Sequence, residues 1–170
     1  MGGYKELSSG IGPGTLTVEM APLPGTITKA PDGSVSSSTA YASARLMAER
    51  AFVLRAHATH GRPSTISLRL GWCQPGENRP QTISATGLAG TLVDMNDPEI
   101  ARTQRWFKGM WLSNRDFLHL LECAILSDVN EWPSPGIVVN GMSNNRGMVW
   151  DIETTRRLIG YEAQDDAWME

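Results

Sequence analysis

The sequence predicts an α/β fold, a parallel sheet with flanking helices, and three observations carry that prediction. Apolar residues recur at three- and four-residue steps from Tyr41 to His57 and again after Ser113. Two short segments, Ser64 to Gly71 and Gly136 to Met142, have the apolar content and turn-rich borders of strands. Helix and strand signals then alternate along the chain, the arrangement that builds parallel sheets.

Taken in order, residues 1 to about 39 read as an irregular, loop-rich lead. "GIGPGTLTVEMAPLPGTITKAPDGSVSSS" is dense in glycine, proline, serine and threonine, with β-favouring scraps such as Thr15–Val18. Helical pattern begins at Tyr41, where Ala44, Met47, Ala48, Ala51 and Phe52 follow helical steps. Ser38 or Thr39 is available as a cap, and "HGRP" is the stop. "STISLRLG" alternates Ile66, Leu68 and Leu70 with polar residues, and "WCQPGENRPQ" is a turn-rich loop at that strand's carboxyl end. Residues 82 to 112 mix signals, with a short helix expected from Pro98 to Arg105. Ser113 with Asp116 three residues on is a capping-box variant, followed by the stripe Phe117, Leu120, Leu121, Ala124 and Ile125. A last helix is expected from Trp150 to Leu158, closed by Gly160. Only two strands are convincing, and a pair of strands is marginal alone with its edges unpaired.

The 170 residues form one domain, 41% hydrophobic and 19% charged, with formal net charge −3. That balance offers nothing to phosphate backbones or anionic membranes, so neither nucleic acid nor membrane is an expected partner. No apolar run approaches the ~18 residues of a membrane span, and the start lacks the order of a signal peptide. Cys73 and Cys123 are the only cysteines, without metal-ligand spacing. A cytoplasmic location is expected. His57, His60 and His119 do not form a metal set; no metal site is expected. The serines and cysteines lack hydrolase partners, because "GMSNNRG" is not a nucleophile elbow. Trp106, Phe107 and Trp111 read as packing between loop and sheet.

The stretch "TAYASARLMAER" places Tyr41 and Arg45 four residues apart, neighbours on one helix face. A cation beside a phenol favours the phenolate, and a phenol so placed can exchange a proton with an alcohol or carbonyl. A packed tyrosine beside a solvated arginine is the alternative, and spacing alone favours it, because Tyr-x-x-x-Arg is a common pattern.

"AYASARLMAERA" followed by "ISLRLGWCQP" resembles the Tyr-x-x-x-Lys helix and next strand of extended short-chain dehydrogenases, the NAD-dependent epimerase/dehydratase family. "RWFKGMWLSNRDFLHLLECAI" and "IVVNGMSNNRGMVWDIETTRRLIGYEAQDDA" are similar to the carboxyl-terminal part of uronate dehydrogenases and their sugar-oxidising relatives. The similarity runs from about Ser38 to Ala167. It implies a partial Rossmann-like sheet, doubly wound and mainly parallel, lacking the amino-terminal half that carries the glycine motif. It further implies an NAD(P)-dependent oxidoreductase or epimerase acting on a small-molecule sugar or sugar acid.

By the same resemblance Tyr41 matches the catalytic tyrosine. Arg45 stands where the family has a lysine that holds the nicotinamide ribose. Gly71 and Cys73 approach the cofactor, and Trp72 replaces a small polar residue in the substrate pocket. Arg105, or Arg102, matches a position that holds the substrate's carboxylate. Arginine keeps the charge of lysine but is planar and cannot relay a proton near neutrality. No glycine-rich turn lies between a strand and a helix in this chain. The segment is therefore expected to be the carboxyl-terminal half of a larger enzyme, with NAD or NADP binding weak or absent alone. The family often pairs through the tyrosine-bearing helix, which keeps a homo-oligomer open. The alternative is a non-catalytic remnant or interaction module that pairs with another polypeptide.

Overall fold

A computed structural model describes residues 12–20, 25, 27–29, 33–88 and 90–169. Two strands, β1 (Ile27–Lys29) and β2 (Val35–Ser37), form an antiparallel pair within the stretch expected to be irregular. The helix α1 (Thr39–Ala58), β3 (Thr65–Leu70), α2 (Pro98–Gly109), α3 (Asn114–Leu126), β4 (Gly136–Gly141) and α4 (Glu153–Ile159) follow.

The two central strands are parallel neighbours in the register Thr65↔Gly136 to Leu70↔Gly141. Period-two alternation sorts their side chains to two faces. Ile66, Leu68, Ile137 and Val139 pack with Leu112, Leu120, Ile159 and Tyr161 into one core cluster. On the opposite face Thr65 donates to the Phe52 carbonyl at 3.2 Å, and Arg69 grips Glu49 through two hydrogen bonds of 2.8 and 2.7 Å. That face is covered by α1. Strand β4 is buried along nearly its whole length, whereas β3 is only half-buried. Among the described residues neither strand has a second neighbour in the sheet; β4 is the more deeply buried because α1 and α4 both pack on it and its Asn140 donates to the Leu16 and Asp151 carbonyls.

Local chemistry sets the helix limits. No side chain of Ser38 caps α1; instead the Ser37 hydroxyl accepts the Thr39 N–H at 3.2 Å. The helix ends where His60 and Gly61 turn left-handed, with Gly61 donating back to the Ala56 carbonyl at 2.8 Å. Helix α2 extends past the expected Arg105 to Gly109. Its start is fixed by Asp97, whose carboxylate accepts the Glu99 and Ile100 N–H groups, with Pro98 in the first turn. Ser113 caps α3 by accepting the Asp116 N–H at 2.9 Å, the contact the sequence pattern indicates. In the expected apolar stripe of α3, Leu120 is buried and Phe117, Leu121 and Ala124 half-buried, but Ile125 is 79% exposed and does not join the core. The last helix begins at Glu153 rather than Trp150, and Gly160 closes it with φ of 73°.

Trp150 has a different role. It is fully buried and pairs in a parallel bridge with Leu16, whose N–H reaches the Val149 carbonyl at 2.8 Å. Leu16, Trp106, Met110, Met142 and Trp150 make the second core cluster, so part of the loop-rich lead is anchored in the interior.

Candidate functional site

Alternating helix and parallel strand puts the start of α1 and the carboxyl end of β3 at the same end of the αβ unit, where α/β folds place their ligands. Tyr41 and Arg45 stand on the first turns of α1, both exposed, Tyr41 at 63%. The i, i+4 spacing brings them together, with the Arg45 guanidinium carbon 5.0 Å from the Tyr41 ring centroid. This is a cation–π stack over the ring face, worth about 0.5–1 kcal/mol at an exposed site. The charge lies over the ring, and the Tyr41 hydroxyl makes no hydrogen bond among the described residues.

Beyond β3 the chain runs beside residues 110–112 as an extra strand-like step. The Gly71 N–H donates to the Gly141 carbonyl at 2.7 Å. Trp72 donates to Met110 at 2.7 Å and accepts from Leu112 at 3.1 Å. Gly71 has no room for a side chain: an added Cβ would collide with the Met110 carbonyl oxygen and sit 3.2 Å from the Leu112 Cβ. The Trp72 indole meets Phe107 edge-to-face with centroids 4.5 Å apart. The Cys73 sulfur lies 3.6 Å from the Leu112 carbonyl. Although the residue is exposed at its surface, partial burial of the thiol pushes its pKa up, so it is protonated near neutrality.

The turn-rich loop that follows is organised by a residue without an obvious sequence signal. Asn78 is buried with φ of 51°, a conformation asparagine tolerates better than most residues. Its carboxamide accepts from the Gln74 N–H at 2.8 Å and the Trp111 indole at 3.1 Å, and donates to the Leu112 carbonyl at 2.6 Å. Asn145 performs a similar service on the other side. It donates to the Gly109 and Trp111 carbonyls and accepts the Ala167 N–H at 2.9 Å. Asp116, fully buried, accepts the Gln164 and Asp165 N–H groups. The loop walls at the strand ends are thereby clamped from three directions. "PGEN" marks a turn, but only the fold reveals that its asparagine faces inward.

Both candidate arginines lie on α2. Arg102 is half-buried and paired with Glu99 at 3.1 Å; Arg105 is exposed. Among the described residues no hydrogen bond, ion pair or ring contact joins Tyr41 or Arg45 to Gly71, Trp72, Cys73, Arg102 or Arg105. The structure thus brings Tyr41 to Arg45, and Trp72 to the α2 wall through Phe107, as two separate groups. His119 stacks near Tyr161 at 5.6 Å and touches Cys123 at 3.7 Å. Among the described residues no cluster of three or more potential metal ligands occurs, and no helix is long and apolar enough to cross a membrane.

Over 60 residues the chain is 37% identical to an NAD-dependent glucose-6-phosphate dehydrogenase of Haloferax volcanii, covering 35% of this chain and 21% of that protein. The chain's match therefore spans about a fifth of the curated relative's length. No protein-family model matches the chain, and no solved structure matches it.

Proposed function

We propose that this chain is part of a nicotinamide-dependent oxidoreductase acting on a sugar or sugar acid. In this reading it is of the extended short-chain dehydrogenase type, and Tyr41 exchanges the proton of the reacting hydroxyl. The observation that carries the reading is the similarity to an NAD-dependent dehydrogenase of a sugar phosphate. The α/β unit supports it, because it presents a tyrosine and a permanent cation at the end of the sheet where such chemistry is sited. Uronate as the particular substrate rests on the sequence resemblance alone.

The described residues fit only one end of NAD or NADP. Tyr41 and Arg45 supply a hydroxyl and guanidinium N–H groups suited to a nicotinamide ribose. No glycine-rich turn among them leads from a strand into a helix to take the pyrophosphate. When bound, the dinucleotide accepts or returns the hydride. The chain's own part is proton transfer at the Tyr41 oxygen, assisted by the fixed charge of Arg45, which cannot itself relay a proton near neutrality. Gly71, Trp72 and Cys73 would form the floor near the reacting carbon, and Arg105 or Arg102 would meet an anionic group of the substrate.

In this reading the half-buried length of β3 is the place where a further strand completes the sheet. The exposed Met47 and Phe52 of α1 are suited to contact with a second copy. A second reading, a non-catalytic module, is favoured by one observation: the Arg45 guanidinium lies over the Tyr41 ring rather than being held in a cleft. The discriminating experiment assays sugar-dependent reduction of NAD by the protein with its sheet completed by the upstream segment. Turnover lost in Tyr41→Phe supports the enzyme; no turnover with any sugar or sugar acid, despite a folded protein that binds NAD, supports the module.

A further inference from the structure

A cavity of about 560 Å³ opens between α1, β4 and α4, and no residue assigned above to proton transfer or substrate contact is in its described lining. Its volume lies within the range of small-molecule sites. One part of the wall is apolar, formed by Leu46 and Val53 from α1, Val138 from β4, Leu158 from α4, and Met20 from the amino-terminal lead, and the rest carries Ser134, Thr154 and charged side chains. Such a surface takes a hydrocarbon body, which gains about 25 cal/mol for each Å² removed from water.

Charge is distributed unevenly around this space. Glu49 and Arg69 line it as a bidentate pair, with side chains only 17% and 13% exposed, so they offset one another's charge. Arg50 of α1 and Arg157 of α4 also line it, both exposed, and neither is in an ion pair among the described residues. Among the described residues Glu19 is the one further carboxylate in the lining. Two guanidinium groups against one carboxylate give the described rim a positive excess, on a chain whose formal net charge is −3. Arginine at the edge of an apolar pocket is suited to a planar anion, which it can bind through paired N–H groups.

We propose that this cavity binds an organic anion with an apolar body, a medium-chain carboxylate in class, with its head at Arg50 and Arg157 and its chain against Leu46, Val53, Val138 and Leu158. The site is separate from the proposed hydride-transfer region and stands or falls independently of it. Decanoate is the probe, with acetate and decanol as the anion without a body and the body without an anion.

Titration calorimetry on the full chain should show one saturable decanoate site, with acetate and decanol each much weaker. Arg50→Gln combined with Arg157→Gln should weaken decanoate about tenfold, the loss of roughly one charge-assisted hydrogen bond. These side chains are exposed, so the fold should persist, and an unchanged circular dichroism spectrum checks it. Absence of saturable binding overturns the proposal. So does decanol binding as tightly as decanoate, or binding at several equivalents that the double variant leaves unchanged, which is detergent-like adsorption.

Discussion

Asp116 and Gln164 are joined by a hydrogen bond across 48 residues of chain: the Gln164 N–H donates to the Asp116 carboxylate at 2.9 Å. The second oxygen of that carboxylate accepts from the Asp165 N–H at 3.0 Å. Asp165 in turn accepts from the Ser113 hydroxyl at 2.5 Å and from the Arg115 guanidinium, which ties the tail back to the cap of α3.

Removing that buried acceptor strands two N–H donors. Asp116→Ala should lower stability by about 3 kcal/mol, since hydrogen bonds to a charged group are worth roughly 1.5–3 kcal/mol each and are not additive. Urea unfolding followed by tryptophan fluorescence measures it. A change below about 0.5 kcal/mol, the range of a plain surface substitution, would mean that the tail is not held this way.

Gly71→Ala tests the close approach of the β3 end to residues 110–112. With no space for the added methyl group, the strand must shift, at a cost of about 1–3 kcal/mol. Trp72 is displaced with it, so near-ultraviolet circular dichroism should change along with the unfolding midpoint.

Tyr161 supplies a pH dependence. Its hydroxyl is buried and donates to the Met142 carbonyl at 2.9 Å, and burial, with Asp116 nearby, pushes its pKa well above the ordinary tyrosine value. The unfolded chain ionises this phenol at roughly pH 10, where the folded chain still keeps it neutral. Above that pH the unfolded state binds fewer protons, so stability is full below it and falls as pH rises further. In Tyr161→Phe this alkaline decline should flatten, at the expense of about 1 kcal/mol at neutral pH. An identical decline in the variant would assign it to other groups.

Helix α3 offers a paired test of the difference between the expected and observed faces. Leu120→Ala should destabilise by about 2–5 kcal/mol, whereas Ile125→Gln should stay within about 0.5 kcal/mol. Comparable losses at the two positions would return Ile125 to the core.

For the proposed chemistry, Tyr41→Phe in the completed protein should lower turnover by about 10²–10⁴-fold with substrate affinity largely kept. The 170-residue chain alone should quench or enhance NADH fluorescence only weakly; micromolar binding would show that these residues hold the cofactor by themselves.

What could be read from the sequence was whatever local pattern decides. Ser113 with Asp116 foretold a cap, the alternation of Ile66 and Leu68 foretold a strand face, and Gly160 foretold a helix end; each depends on neighbours a few residues away. The spacing of Tyr41 and Arg45 likewise foretold their meeting, but not its form, because the choice between ring face and hydroxyl depends on rotamers. The inward turn of Asn78, the bridge from Leu16 to Trp150 and the exposure of Ile125 were hidden. They are set by contacts between segments far apart in sequence, which no periodicity records.

The clamp on the tail also bears on the order of events as the chain is made. The walls around Trp72 and Trp111 take their hydrogen bonds from Asn145 and, through it, from Ala167. A nascent polypeptide that has so far produced only α1 and β3 owns the proposed proton-exchange group but neither of those walls, since these are built from residues 72–78 and 110–112. Residues 110–112 and Asn78 supply the first bonds of that region, and the last, from the Ala167 N–H to Asn145, forms only when the ribosome has delivered nearly the whole of these 170 residues.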